Sequence, residues 1–104
     1  MIQEKLVIST AASQQEALRI ANAIVEEALA ACVNVIGPIA SVYRWQGNVE
    51  NAQEFLMVVK TTSAKSAKTI ARICELHSYE LPEAIEVDIT GGSPDYLRWI
   101  RESI

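Results

Sequence analysis

Val33-Asn34-Val35-Ile36-Gly37-Pro38-Ile39-Ala40-Ser41-Val42-Tyr43-Arg44-Trp45-Gln46-Gly47-Asn48, with its continuation to Thr62, sets the architecture of the chain. It reads as two long strands joined by a tight turn at Trp45-Gln46-Gly47-Asn48. In the second arm, Phe55, Met57 and Val59 point to one face, and Leu56 and Val58 to the other. A hairpin with one wet face would alternate apolar and polar residues, so this arm is expected to be covered on both sides. Each arm is also long: about 13 residues at ~3.3 Å give roughly 43 Å. A compact domain of 104 residues spans only about 35 Å. The hairpin should therefore overhang its own domain, and an overhanging apolar ribbon needs a partner. Another copy of the same chain is the simplest one.

The length allows one domain, residues 1–104. Half of the residues are apolar, a large share for so short a chain, which again points to a buried subunit interface. Nine basic against thirteen acidic residues leave a net charge of −4. The basic residues are scattered, so neither nucleic acid nor an anionic membrane surface is expected as a partner. The amino terminus has no signal pattern and no apolar run approaches the ~20 residues of a membrane span, so the expected compartment is the cytoplasm. Cys32 and Cys74 have neither disulfide-framework nor zinc-motif spacing. Both have apolar neighbours and read as buried, inert thiols.

Lys5 to Thr10 reads as an interior strand. Ser13-Gln14-Gln15-Glu16 has the pattern of a capping box, with Glu16 reaching back to the cap. The helix it opens should run to about Ala31, burying Ala17, Ile20, Ala21, Ile24, Val25 and Ala28. Gly37-Pro38 interrupts the following strand and predicts a bulge or bend. Ile39, Ser41, Tyr43 and Trp45 then share a face, and Trp45 near the tip reads as a subunit contact or a ligand-stacking ring. A second helix, capped by Ser63 or Ser66, should carry an apolar stripe of Ala67, Ile70, Ala71 and Cys74, with His77 at its end. Ala84 to Thr90 alternates as a strand with Ile85, Val87 and Ile89 inward. Ser93-Pro94 opens a last helix to about Ser103, with Leu97, Ile100 and Ile104 inside. The order β-α-β-β-α-β plus a helix predicts an α+β split β-α-β sandwich. Its four-stranded antiparallel sheet carries two helices on one face and leaves the other for an oligomer.

The densest polar cluster is His77-Ser78-Tyr79-Glu80-Leu81-Pro82-Glu83. Loops held between rigid elements commonly carry sites. Three readings compete. In the first, His77 bonds a carbonyl and Glu83 an ion-pair partner or backbone, as structural groups. In the second, His77 and Glu83, with Tyr79 or a neighbour's residues, bind a divalent metal or small ligand in a subunit cleft. In the third, His77 works as an acid–base catalyst. Cys32 or Cys74 with His77 would favour copper or zinc. Glu54 and Lys60 bracket Leu56 and Val58 on one strand face and need partners there. No glycine-rich phosphate loop and no HExxH or GxSxG motif is present.

Five blocks in order carry a resemblance that spans essentially the whole chain. They are Ala31 to Val35, Ser41 to Gly47, Glu54 to Thr62, His77 to Glu83, and Tyr96-Leu97-Arg98-Trp99. The sequence resembles the CutA divalent-cation tolerance family. The resemblance implies a ferredoxin-like fold with a long β2–β3 hairpin and an extra C-terminal helix. It also implies a homotrimer similar in architecture to the PII signalling proteins, a link to copper and other divalent ions, and no established enzymatic reaction. Carried onto this chain, the metal candidates are His77, Glu83 and Cys32; the cleft or interface candidates are Tyr43, Trp45, Glu54, Lys60 and Tyr79. Some members carry a Cys near the end of the first strand and a His pair after the second helix, as proposed copper ligands; here those positions hold Ser9 and Leu76-His77. The implied function is a divalent metal response, with a PII-like small-molecule sensor or interaction module without intrinsic metal function as the alternative.

Overall fold

The computed structural model describes residues 3–104. Its elements are β1 (Glu4–Ala11), α1 (Gln14–Glu26), β2 (Cys32–Trp45), β3 (Asn48–Thr62), α2 (Ser66–Leu76), β4 (Ala84–Asp88) and α3 (Pro94–Ser103). The strands form one antiparallel sheet in the order β2-β3-β1-β4. This is the split β-α-β arrangement that the element order predicts. Val7, Met57 and Val59 pack against Ile20, Ile24 and Ile73, so α1 and α2 cover one sheet face. The other face carries the residues of opposite parity. α3 covers one end of it: Arg101 pairs with Glu4, and Lys60 lies 5.5 Å from the centre of the Tyr96 ring.

The hairpin overhangs as expected. Gln46 and Gly47, with φ of 49° and 83°, form the two-residue loop of left-handed residues that a twisted hairpin favours. β1 pairs only with Phe55 to Thr62 of β3, so Asn48 to Glu54 pair with β2 alone. The longest dimension is 43 Å, against 25 and 22 Å across. The expected irregularity at Gly37-Pro38 is a bulge: Ile36 opposes Leu56 while Ile39 opposes Glu54. It switches the parity of β2, so that Cys32, Asn34 and Ile36 before it share a face with Ile39, Ser41, Tyr43 and Trp45 after it. Gly37 is required there by a close approach, since a Cβ would sit 2.5 Å from a ring carbon of Phe55.

Several local expectations are corrected. α1 ends at Glu26 rather than Ala31. Ala28 turns left-handed (φ 57°), and the Leu29 and Ala28 N–H groups bond the Ile24 and Val25 carbonyls, closing a Schellman motif. Only half of the capping box forms: Ser13 Oγ accepts from Glu16 N–H, but the Glu16 carboxylate accepts from Ser78 N–H at 2.9 Å. Neither Ser63 nor Ser66 caps α2; Lys65 stands at its N-cap without a side-chain bond, and Ser63 Oγ accepts from Gln3 N–H. The buried stripe of α2 is Ser66, Thr69 and Ile73, while Ala67, Ala71 and Cys74 face outward. Thr69 goes inside because its hydroxyl satisfies the Leu29 carbonyl at 2.7 Å, as does Thr61. Cys74 is therefore exposed and Cys32 half-buried, not the two buried thiols expected. β4 stops at Asp88, and its inward residues are Ala84, Glu86 and Asp88. Lys5, opposite Asp88 in the ladder, pairs with both carboxylates, which lie on the helix side of this edge strand and remain exposed to solvent. Ile85 and Val87 consequently face away from the helices and are 54% and 42% exposed.

Candidate functional site

β1 ends at Ala11, opposite Phe55, while β3 continues. Glu54 is therefore the first β3 residue on its face without a β1 neighbour. The segment between α2 and β4 fills that place. His77 leaves the helix in extended conformation (φ −78°, ψ 144°). Its Nδ1 accepts the Tyr79 backbone N–H at 3.1 Å. An amide N–H only donates, so Nδ1 is unprotonated and Nε2 carries the hydrogen that it donates to the Thr10 carbonyl at 2.7 Å. The two rings lie 4.6 Å apart. His77 thus ties the segment to the end of β1 and aims Tyr79 across the sheet.

Tyr79 donates its hydroxyl to Glu54 Oε2 at 2.8 Å. Burial raises the Tyr79 phenol above its ordinary range, and the Glu54 carboxylate beside it raises it further. Glu54 is only 8% exposed. At the other end of the segment, Ser9 Oγ donates to the Glu83 carbonyl at 2.6 Å. Ser9 is fully buried, so this bond clamps Glu83 to the middle of the sheet.

Between this segment and the overhanging part of the hairpin lies a cleft of about 580 Å³. Tyr43, Arg44 and Trp45 line its hairpin side; Tyr79, Glu80, Leu81 and Glu83 line the opposite side, with Thr10 and Glu54 between them. The bulge accounts for this, because its parity switch turns Tyr43 and Trp45 to the face that carries Glu54. The structure thus brings Tyr43, Trp45, Glu54, Tyr79 and Glu83 to one place. Lys60 lies elsewhere, with Nζ 2.7 Å from Asn34 Oδ1 and beside Tyr96. Cys32 opposes Lys60 in the ladder, whereas Thr10, to which His77 is bonded, opposes Leu56. Four residues along β3 separate the two positions, about 13 Å. Among the described residues, no three His, Cys, Asp or Glu side chains converge as a metal centre. The sequence does not single out Thr10 or Leu81; that β1 stops at Ala11 is the only signal for Thr10, and it becomes readable once the strand pairing is known.

Comparison with known proteins places this architecture. The CutA1 divalent ion tolerance protein family model matches residues 5–103. The divalent-cation tolerance protein CutA of Thermus thermophilus is 45% identical over 100 residues, covering 96% of this chain and 97% of the relative. Protein CutA, chloroplastic, of Arabidopsis thaliana is 39% identical over 98 residues, and the match spans about half (54%) of that longer protein. Among solved structures, CutA from Xylella fastidiosa superposes with a TM-score of 0.95 at 41% identity, over 98% of each chain. No helix among the described residues is long and apolar enough to cross a membrane. With identity of this order along nearly its whole length, the chain belongs to the CutA1 divalent ion tolerance family.

Proposed function

We propose that this chain acts as a cytoplasmic homotrimer in the response to divalent cations, with copper or zinc taken at clefts between subunits. The observation that carries the reading is the overhanging hairpin with the cleft beside it. Asn48 to Glu54 pair only with β2, and the sheet face continuous with them exposes Ile36, Ile85 and Val87. Another copy laid along that ribbon would cover the apolar face and close the cleft. A single chain gathers no three-ligand centre among its described residues, so in this reading the cation is shared between chains. Glu83 offers its carboxylate directly. His77 ligates by releasing the Tyr79 N–H from Nδ1, and Cys32 takes part only from a neighbouring copy. We assign no catalytic role, because His77, the sole imidazole, has both ring nitrogens bonded to backbone groups.

The aromatic side of the cleft favours a second reading. Tyr43 and Trp45 are 45% and 36% exposed at the rim of a space large enough for a small molecule. That arrangement suits a PII-like sensor. Native mass spectrometry with and without copper and zinc separates the two. A species of about 34 kDa, three chains of 11.4 kDa, that takes up one metal per chain supports the first. A metal-free trimer favours the sensor, and a monomer removes both.

A further inference from the structure

We propose that the cleft accepts a small organic cation of the alkylammonium class; this rests on the reading of the cleft as a small-molecule site. Charge sign comes first. Glu54, Glu80 and Glu83 line the space against one cation, Arg44. A phosphate-bearing ligand would meet net repulsion there, whereas an ammonium would be attracted. The second observation is Glu54 itself. It is more than nine-tenths buried, yet only its Oε2 has a donor, the Tyr79 hydroxyl. Among the described residues Oε1 receives no hydrogen bond, and no buried side-chain oxygen is left sealed without a partner, so Oε1 retains its solvent contact through the cleft it lines. A largely buried carboxylate with one oxygen open to a cavity favours a cationic occupant.

The third observation is aromatic. Stacked rings among the described residues join His77 to Tyr79 and Tyr96 to Trp99, leaving the faces of Tyr43 and Trp45 unstacked. Tyr43 and Trp45 line the same cleft as Glu54, and ring faces in an acidic cleft attract an ammonium and its alkyl body together. A compact divalent ion would need three or more converging ligands, and these are not assembled among the described residues of one chain. An organic cation needs one anchored charge and the ring faces.

The test uses the full chain carrying Trp99→Phe, so that Trp45 is the single indole. Tetramethylammonium chloride is titrated against sodium chloride at matched ionic strength, and ATP is titrated separately. The expected result is a saturable change in Trp45 fluorescence with tetramethylammonium and none with sodium. Glu54→Gln, which keeps an oxygen for the Tyr79 hydroxyl, should weaken binding about tenfold with an unchanged melting profile. Equal responses to tetramethylammonium and sodium would overturn the proposal. Saturation by ATP alone would overturn the cationic class and leave the small-molecule reading standing. Silence to both probes would remove the small-molecule reading as well, whatever metal uptake native mass spectrometry records.

Discussion

Glu54 and Tyr79 form the most consequential pair at the residue scale. Their hydrogen bond crosses from the hairpin to the segment after α2, and it satisfies a buried carboxylate. Tyr79→Phe should lower stability by about 1–3 kcal/mol, because Glu54 stays buried and loses its donor. A urea midpoint equal to that of the parent would refute this. Burial of the phenol, and this bond after it, set an alkaline limit. The folded-state phenol lies above its ordinary 10.0, so its stabilisation is complete below pH 10.0 and is lost as pH rises from there toward the folded value. Tyr79→Phe should therefore flatten the alkaline limb of the stability profile as well as lower it. Glu16 sets the acid counterpart. Burial pushes its carboxyl up, but hydrogen bonds from Ser78 outweigh that and hold it below the ordinary 4.5. Its contribution is present above pH 4.5 and lost as pH falls through the folded value, so Glu16→Gln should make stability less steep below pH 4.5. The density of polar residues from His77 to Glu83 marks this region in the sequence. Their division of labour is not legible there, because the partners Thr10, Glu16 and Glu54 lie between 25 and 67 positions away.

At the scale of elements, the hairpin, its turn and its bulge are legible because each has local chemistry: a Gly after Gln46 for the left-handed turn, and Gly37-Pro38 where the ladder slips. The helix ends are less so. α1 stops at Glu26 because Ala28 adopts the left-handed conformation, although Ala is a strong helix former and gives no stop signal. What overrides propensity is tertiary. Lys65 donates to the Ala28 carbonyl at 3.2 Å, and Thr61 and Thr69 converge on the Leu29 carbonyl. The left-handed Ala costs roughly 1–2 kcal/mol, partly offset by the greater unfolded-state freedom of Gly. Ala28→Gly should then stabilise the fold by about 0.5–1 kcal/mol; a lower melting temperature would mean that the Ala28 methyl group has a packing role. Gly37→Ala should act in the opposite direction. Its Cβ would lie 2.5 Å from the Phe55 ring, and displacing that ring from the edge of the core costs about 1–3 kcal/mol. In the double variant with Phe55→Leu, much of the loss should return. A loss that does not return would place the strain in the bulge backbone instead. The α2 stripe and the helix-side face of β4 depart from the hydrophobic pattern for two different reasons: Thr69 is buried because its hydroxyl bonds the Leu29 and Lys65 carbonyls, whereas Glu86 and Asp88 lie on the helix side of an edge strand that stays solvent-exposed.

For the whole molecule, the question is what covers the sheet face that α1 and α2 leave open. α3 seals only the end near Glu4 and Lys60, held there by Arg101 and Tyr96. The remainder exposes Ile36 (49%) on β2, next to the overhanging ribbon, and Ile85 (54%) and Val87 (42%) on β4 at the other edge of the same face. Exposed apolar surface of this kind is costly unless it is an interface. In the proposed trimer it is buried, so a charge placed there must either be desolvated or keep the copies apart. Ile85→Lys tests this without touching the single-chain core, because residue 85 makes no contribution to the buried cluster under the helices. The variant should keep its helix and strand content by circular dichroism, move from about 34 kDa to 11.4 kDa by native mass spectrometry, and melt well below the parent. The parent's own midpoint should rise with protein concentration, as association by mass action requires. An Ile85→Lys protein that stays trimeric with an unchanged midpoint would place the interface elsewhere, and the cleft beside the hairpin would then have to work within one chain.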